Sequence, residues 1–323
     1  MKAVTFAAYG GPEHLQIADA PLPEPGPGQV RIHVAAASLN AFDWHQYRGL
    51  PYLVRMGGNW SVKEPRILGA DIAGTVDAVG ADVTHVAPGD RVLAEISLGG
   101  FAEYAIASAS QFAPIAPDVP FDAAAAIPMA GLTALQALRD FAKVEPGERV
   151  LVWGASGGVG HLAVQIARIL GAARVDAVAS ARNAQMLRDI GADTAFDYAS
   201  TALPTGPYDV IIDTVSTRGL RHLKPLLSER GRVVTLGGLA NGKILGPGRD
   251  ILGRIIWAKL VGVRHEKMLA NINAKDLEWL ASRLADGSLT PVIQRTFALE
   301  EIADACRVLE DGHVAGKLVL HVS

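Results

Sequence analysis

A glycine-rich segment in the middle of the chain has the residue types and spacing to bind a phosphate group. It lies between an apolar stretch, Arg149–Trp153, and a segment whose apolar residues recur with helical spacing. A strand that turns through glycines into a helix presents backbone N–H groups and the positive helix end to an anion. The pattern predicts a dinucleotide site whose diphosphate contacts Ala155, Ser156, Gly157, Gly158, Val159 and Gly160.

The segments around this turn predict a parallel sheet. Apolar strands are expected at Val175–Ala179 and Tyr208–Asp213, with a helix at Asn183–Ile190 between them. Strands that alternate with helices form parallel sheets with right-handed crossovers. The alternative, a tight turn that needs small residues only for packing, fits this context less well. We therefore expect an α/β region with the Rossmann doubly wound parallel sheet.

The end of the second strand distinguishes between the two nicotinamide dinucleotides. NAD-specific sites place an acid there, which binds the ribose 2′-hydroxyl group. Here the strand runs from Ala179 into Ser180 and Arg182, without a carboxylate. These two side chains could hold a 2′-phosphate, which would offset the unfavourable position of an arginine near a helix N-terminus. The sequence thus predicts NADP(H), with an ordinary solvated arginine as the alternative.

Composition and charge argue against several other classes of protein. The chain has 323 residues, 50% of them hydrophobic, and a formal net charge of −3. This length suggests two domains, and the absence of a basic block gives no support to nucleic-acid or membrane binding. One cysteine, Cys306, excludes an intrachain disulfide and a cysteine-rich zinc site. No signal peptide or spanning segment is recognised, so we expect a cytoplasmic protein.

Residues 1–120 show short β-branched stretches separated by turns, which predict a mostly antiparallel β domain. Strands are expected at Val30–Ala36, Ile72–Val79, Arg91–Ala94 and Ala102–Ile106. From about Phe121 the chain is expected to become helical, with Asp122 as a candidate N-cap. Helices at Ala274–Asp286 and Leu299–Asp311 and a closing strand at Leu318–Val322 complete the expected elements.

A series of motifs extends along nearly the whole chain. They are Asn40-x-x-Asp43, Gly69-x-Asp71-x-Ala73-Gly74, Pro88-Gly89-Asp90-Arg91-Val92, Gly99-Gly100-x-Ala102-Glu103-Tyr104, Gly131-Leu-Thr-Ala134 and Gly316-Lys317. In this order they resemble the medium-chain dehydrogenase/reductase superfamily, in its zinc-free quinone oxidoreductase branch. The resemblance implies a GroES-like domain from residues 1–120 and 264–323 and a Rossmann NADP-binding domain at residues 121–263. It also implies a homodimer, to which the apolar run Ile251–Val263 could supply an edge strand.

Further cofactor contacts follow from the resemblance and from the expected sheet. Thr133 and Tyr198 resemble positions near the nicotinamide and the 2′-phosphate, with helix packing and a rim tyrosine as the alternatives. Thr214, Gly237 and Gly238 follow strands at the carboxyl edge of the sheet, where ligands bind in open α/β sheets. Lys317 is a further candidate contact, with an exposed lysine as the alternative.

The residues also bear on the question of zinc. Zinc-dependent members use a Cys, a His-Glu pair and a further Cys or Asp. Here Gly69-Ala70-Asp71 has no histidine before the acid, and the place of the first cysteine falls near Asn40. Zinc needs soft or imidazole ligands in a closed set. No metal ligand is therefore expected, and Asp71 is interpreted as a carboxylate held by backbone groups.

A site without a metal favours an acceptor that is already electron-poor. Hydride transfer to a quinone or an α,β-unsaturated carbonyl leaves negative charge on oxygen, so the protein has to offer a hydrogen bond or a proton. Tyr52 is the best candidate donor, although relatives place a tyrosine where this chain has Pro51. Asn40 resembles a residue near the nicotinamide, or is a structural turn amide. His45 could titrate near neutral pH, or could serve only the loop.

Two other functions stay open at this point. One is a zinc-free alcohol or aldehyde dehydrogenase of the same fold, which the absent ligands disfavour. The other is a non-catalytic NADPH-binding module, crystallin-like or RNA-binding, and the lack of basic stripes disfavours the RNA-binding form.

Overall fold

The chain folds into two compact units, described here from a computed structural model. The structure describes residues 1–55, 60–200, 203–216, 219–236, 258, 262–268 and 270–323. One unit comprises Met1–Leu132 and Asn271–Ser323, and the other comprises Thr133–Ala270. The predicted contacts Gly237 and Gly238 lie outside the described residues, as does most of the run Ile251–Val263.

The elements are numbered in chain order. The strands are β1 (Lys2–Phe6), β2 (Leu15–Asp19), β3 (Gln29–Ser38), β4 (Arg66–Ile67), β5 (Asp71–Val79), β6 (Arg91–Glu95), β7 (Tyr104–Ser108), β8 (Phe112–Pro114), β9 (Arg149–Trp153), β10 (Arg174–Ala179), β11 (Thr194–Asp197), β12 (Tyr208–Asp213), β13 (Leu227–Thr235), β14 (Arg264–Lys267), β15 (Ile293–Ala298) and β16 (Lys317–His321). The helices are α1 (Ala41–Arg48), α2 (Phe121–Ala125), α3 (Pro128–Gln136), α4 (Gly160–Ile169), α5 (Ala184–Asp189), α6 (Leu220–Leu223), α7 (Ala274–Ala285) and α8 (Ile302–Glu310).

The first unit is built on mostly antiparallel β-structure. Its larger sheet has the order β15-β16-β3-β5-β6-β8, with β7 paired to β3, and a small sheet has the order β2-β1-β4. Val30, Ile32 and Val34 alternate along β3 and are fully buried, as the two-residue period of a strand requires. Because β3 lies between β16 and β5, residues at the ends of these three strands come together.

The second unit contains the parallel sheet. Its strands, as far as the chain is described, have the order β11-β10-β9-β12-β13-β14, and every pairing is parallel. The central strand β9 is buried from Val150 to Trp153, which is typical of a sheet covered on both faces. The predicted fold class, a doubly wound parallel sheet with a mostly antiparallel β domain, is confirmed.

One local prediction was wrong, and one predicted strand is displaced by two residues. Asp122 does not cap a helix, because α2 already begins at Phe121 with Pro120 in the cap position, and the Asp122 carboxylate lies 2.9 Å from His321 Nε2. The strand predicted at Ala102–Ile106 runs from Tyr104 to Ser108 instead. The reason is that Ala102 forms an isolated bridge with Ala3, in the other sheet, before pairing with β3 begins.

Candidate active site

The glycine-rich turn joins β9 to α4 at the carboxyl edge of the parallel sheet. The amides of Gly154 and Ala155 both donate to the Val178 carbonyl at 3.0 Å, which ties the turn to β10. Gly154 has a φ of +78°, and a Cβ on Gly160 would lie only 2.3 Å from the Gly154 carbonyl oxygen. Both glycines are therefore needed, one for its left-handed backbone and the other for close packing.

Several backbone amides of this turn are available to a ligand. Gly157 donates to the Gly154 carbonyl at 3.2 Å, whereas Ser156, Gly158 and Val159 donate to no acceptor within the described part of the chain. They precede the first residue of α4, so they lie at the positive end of that helix. Such a cluster of donors fits the diphosphate of a dinucleotide.

Thr214 supports the turn from the neighbouring strand. Its hydroxyl donates to the Trp153 carbonyl at 2.9 Å and lies 3.2 Å from that of Gly154. Asp213 holds the next turn, since its Oδ1 accepts from the Ser216 amide at 2.8 Å. The structure thus gives Thr214 a role in shaping the loop, while its contact with a cofactor stays a prediction, as does that of the half-buried Thr133.

Three residues predicted to hold a 2′-phosphate lie at one corner of this sheet. The Tyr198 amide donates to the carbonyl of Ala179, the last residue of β10, at 3.1 Å. Ser180 stands in the cap position of the short 3-10 turn Ala181–Asn183, which includes Arg182. Arg182 and Tyr198 are exposed. A hydroxyl, a cation and a phenol are therefore presented together where β10 and β11 end.

A second group of candidate residues forms a buried polar network in the first unit. The backbone amide of Asn40 donates to Asp43 Oδ2 at 2.8 Å, which caps α1. The side chain of Asn40 donates through Nδ2 to Asp71 Oδ2 at 2.9 Å and accepts through Oδ1 from the Lys317 ammonium. Lys317 Nζ also lies 3.6 Å from Asp71 Oδ2, and its side chain is only 2% exposed. Lys317 is therefore not an exposed lysine.

Asp71 has more side-chain partners than the sequence indicated. The Met129 amide is its backbone donor, at 3.0 Å from Oδ1. The remaining contacts come from Asn40, Lys317 and the Ser38 hydroxyl, 3.4 Å from Oδ2. The interpretation of Asp71 as a carboxylate held by backbone groups was therefore only partly right.

Burial changes the proton affinities within this network. It raises the pKa of Asp43 to about 7 and the pKa of Glu95 to about 8, where the nearby Asp71 carboxylate adds to the effect. Burial also raises the pKa of Asp71 and lowers that of Lys317, while their mutual attraction opposes both shifts. Near neutral pH, Asp43 and Glu95 are therefore partly protonated, while the Asp71 carboxyl group and the Lys317 amine lie at ion-pair distance, 3.6 Å apart.

Sequence reasoning missed Glu95. It faces Asp71 across the antiparallel pair of β5 and β6, and its side chain is buried. The available signal was an acid directly after the apolar run Val92–Ala94, since buried carboxyls are rare unless they have a partner.

The other predicted catalytic residues lie just after α1. The His45 imidazole donates through Nδ1 to the Leu50 carbonyl at 2.6 Å, and burial lowers its pKa. Tyr52 begins the short 3-10 helix Tyr52–Arg55 and is half-buried. Its hydroxyl makes no hydrogen bond to the residues described here, whereas its ring lies against the guanidinium of Arg55. Nothing in the sequence marked Arg55, because its other aromatic partner, Tyr9, is distant along the chain.

The described ranges contain no helix that is long and apolar enough to cross a bilayer. In the same ranges, no group of three or more His, Cys, Asp or Glu side chains is arranged to hold a metal ion.

Comparison with known proteins agrees with this architecture. Residues 26–118 match the alcohol dehydrogenase GroES-like domain, and residues 190–320 match a family described as zinc-binding dehydrogenase. The chain is 34% identical to the chloroplastic quinone-oxidoreductase QR1 of Triphysaria versicolor, covering 99% of this chain and 98% of that protein.

Two solved structures have the same fold. The quinone oxidoreductase of Coxiella burnetii is 34% identical, with a TM-score of 0.85 over 100% of this chain and 99% of that one. The quinone oxidoreductase of Escherichia coli, solved in complex with NADPH, is 25% identical, with a TM-score of 0.83 over 99% of this chain and 100% of that one. The chain thus belongs to the medium-chain dehydrogenase/reductase superfamily, in its quinone oxidoreductase branch, and is an oxidoreductase.

Proposed function

We propose that this protein uses NADPH, without zinc, to reduce quinones or α,β-unsaturated carbonyl compounds. The observation that carries the proposal is the glycine turn with its available amides, next to the corner formed by Ser180, Arg182 and Tyr198. The amides hold the diphosphate, and the serine and the arginine hold the 2′-phosphate. The relative from Escherichia coli, whose structure contains NADPH, supports this assignment. When bound, NADPH supplies a hydride from its nicotinamide ring.

The buried network supports an enzyme that works without zinc. Asn40 and Asp71 offer oxygen atoms, and the Lys317 ammonium already contacts both. Zinc in such enzymes is held by thiolate, imidazole and carboxylate ligands, and an ion here would have to displace a buried cation. The residues of this chain therefore do not fit the metal named in the matched family description.

Tyr52 is the residue that we assign as proton donor. Reduction of a quinone to its hydroquinone takes one hydride and one proton in total: when the hydride adds to a ring carbon, one oxygen is protonated and the proton of the new C–H group is then exchanged for one on the other oxygen. Reduction of an enone takes a hydride on the β-carbon and a proton on the resulting enolate. His45 is a poor acid here, because its lowered pKa favours the neutral ring and its Nδ1–H is given to Leu50. The Tyr52 hydroxyl has no such commitment among the described residues, so it can donate its proton and recover one from water.

We assign to Asn40 a hydrogen bond to the oxygen on which negative charge develops. The Asn40 Nδ2 atom lies 2.9 Å from Asp71 Oδ2, and its second acceptor, the Ser38 carbonyl, is at the long distance of 3.5 Å. The amide has two hydrogens to donate, and at that distance the second is weakly held. It could therefore be donated to the reduced acceptor.

The test is a comparison of NADPH and NADH oxidation with a panel of quinones and enones. We expect kcat/KM to be at least about tenfold higher with NADPH, because the charge-assisted contact to the 2′-phosphate is absent with NADH. Arg182→Ala should remove most of this preference. Arg188→Ala is the matched control, since it removes an exposed arginine of α5 whose side chain donates to Gln185 Oε1 at 3.2 Å. Equal use of both cofactors, or an unchanged preference in Arg182→Ala, would overturn the assignment.

The same preparation separates the other functions. NADP-dependent oxidation of alcohols, or stoichiometric zinc in active protein, would indicate an alcohol dehydrogenase. Tight NADPH binding without turnover on any quinone or enone would indicate a non-catalytic module.

A further inference from the structure

We propose that Lys317 is a positioning residue, which together with Asp71 fixes the side-chain amide of Asn40 in one orientation. The inference deepens the proposed function, because it rests on the hydrogen bond that we assign to Asn40. It differs from the direct contact between Lys317 and the cofactor that the sequence suggested.

The opposite charges of the two neighbours determine the orientation of the amide. In the structure, Nδ2 of Asn40 faces the Asp71 carboxylate and Oδ1 faces the Lys317 ammonium. Rotating the amide by half a turn would place its N–H groups against the cation and its oxygen against the anion. An ammonium has only donors and an ionised carboxylate only acceptors, so both hydrogen bonds would be lost.

Burial makes this preference strong. Lys317 is 2% exposed and Asp71 is fully buried, whereas Asn40 is 9% exposed. Charge-assisted hydrogen bonds are stronger than neutral ones, and water cannot replace them at a buried site. Among these three residues, Asn40 is therefore the one with the largest exposed fraction, and Lys317 and Asp71 are more deeply buried.

The sheet register holds the three residues together. Ser38, two residues before Asn40, is the partner of Asp71 in the pairing of β3 and β5 and of Val319 in the pairing of β3 and β16. Lys317 begins β16. The lysine and the aspartate thus reach the asparagine from the two strands that flank β3, and their positions depend on backbone pairing.

The first test is a double-mutant cycle on kcat with a quinone acceptor. We expect Lys317→Met to lower kcat about tenfold or more, because a misplaced group near the reacting atoms is costly, and to change the NADPH Kd by less than about twofold. In an Asn40→Ala background the same change should cost less than about twofold, since a residue that acts through Asn40 has nothing left to position. A loss of NADPH affinity that persists in that background would show a direct contact and overturn the proposal.

Lys317→Met leaves the buried Asp71 without its cationic partner and could fail to fold. In that case the uncharged variant Asp71→Asn keeps the test valid. The cycle is then repeated in Asp71→Asn, where Lys317→Met no longer leaves the Asp71 carboxylate without its cation. A loss of kcat that depends on the presence of Asn40 is again expected, and equal losses with and without Asn40 would contradict the inference.

A second readout does not depend on activity. The chain has six asparagines, so selective isotope labelling gives few side-chain amide signals by NMR, and Asn40→Ala assigns the one of interest. We expect Lys317→Met to shift and broaden the Asn40 signal pair and to leave the others in place. An unmoved Asn40 signal would refute the positioning role. Because the signal is present in inactive protein, this result is separable from a failure of the proposed function.

Discussion

The guanidinium carbon of Arg55 lies 4.8 Å from the centre of the Tyr52 ring. It also lies 4.4 Å from the centre of the Tyr9 ring, and the Arg55 Nε donates to the Gly49 carbonyl at 2.7 Å. Each contact between a guanidinium and an aromatic ring contributes about 0.5–2 kcal/mol. Arg55 therefore connects the Tyr52 ring to the turn after β1 and to the end of α1, and we infer that it holds this ring in place.

We predict that Arg55→Gln and Tyr52→Phe have different kinetic effects. Tyr52→Phe keeps the ring stacked on the guanidinium and removes only the hydroxyl, so kcat should fall by about tenfold to a hundredfold with little change in the acceptor KM. Arg55→Gln releases the ring, so both kcat and the acceptor KM should change.

Arg66→Gln is the matched control for Arg55. Arg66 lies over another aromatic ring of the first unit, that of Phe6, at 5.8 Å, and its loss should leave both constants within about twofold of the native values. If Arg55→Gln resembles this control, Arg55 has no role in placing Tyr52.

A second prediction concerns pH and stability. Glu95 has a folded-state pKa of about 8, well above the ordinary value for glutamate of about 4.3. The folded protein therefore keeps a proton that the unfolded chain has released, and stability falls as pH rises from about 4 through about 8. Asp43, with a folded-state pKa of about 7, causes a similar loss of stability, which is complete once the pH exceeds about 7.

The slope of the unfolding free energy against pH reports the difference in bound protons between the folded and unfolded states. We expect Glu95→Gln to reduce this difference by close to one proton. The measurement is the free energy of unfolding in denaturant across that pH range. Relative to the native protein, the variant should gain stability as pH rises, by up to about 1.4 kcal/mol per pH unit. Glu24→Gln, which changes an exposed carboxylate paired with Arg31, should leave the slope unchanged. Parallel curves for Glu95→Gln and the native protein would show that Glu95 ionises normally.

The fold and the proposed cofactor-binding residues were predicted from patterns that are local in the sequence. The turn from Gly154 to Gly160, the strand that precedes it and the acid-free end of β10 are all contiguous in the sequence. The network around Asn40 is different, because Lys317 is 277 residues away and reaches it through the pairing of β16, β3 and β5. No local periodicity encodes such a meeting. The prediction that Asp122 caps α2 was wrong because Pro120 occupies the N-cap position, which an aspartate would otherwise favour.

A third prediction separates packing from binding within the glycine turn. Gly160→Ala would place a Cβ 2.3 Å from the Gly154 carbonyl oxygen and 2.7 Å from Ala155 Cα. Because both atoms belong to the backbone, we expect a loss of about 1–3 kcal/mol in stability together with weaker NADPH binding.

Gly157→Ala is the matched change in the same turn, because the nearest atom to its Cβ would be 3.6 Å away. It should leave the unfolding free energy within about 0.5 kcal/mol of the native value. It should still weaken NADPH binding if the diphosphate lies against this part of the turn. Equal losses of stability in the two variants would mean that the turn relaxes around Gly160.

A last prediction tests what anchors α1, the helix that Asn40 caps. Glu310 of α8 accepts from the Tyr47 hydroxyl at 2.6 Å and forms a two-point contact with Arg48, at 2.7 and 2.5 Å. Tyr47 is fully buried. Tyr47→Phe removes one hydrogen bond, which is worth about 1 kcal/mol. Glu310→Ala removes the acceptor for both residues and leaves the buried hydroxyl without a partner, so we expect it to cost about 2–4 kcal/mol.

The order of these losses is the measurable result, obtained from the midpoints of denaturant unfolding. Glu310→Ala should be the more destabilising change, and adding Tyr47→Phe to it should cost less than Tyr47→Phe alone, since the hydroxyl then has no bond to lose. Glu301→Ala, near the start of the same helix, serves as the control, because it removes an acceptor for the Ala298 amide instead. Its loss of stability and that of Tyr47→Phe should add fully in the double variant. If Glu310→Ala and Tyr47→Phe were also additive, the carboxylate would not be the partner that holds the tyrosine, and its contribution to anchoring α1 would come through Arg48.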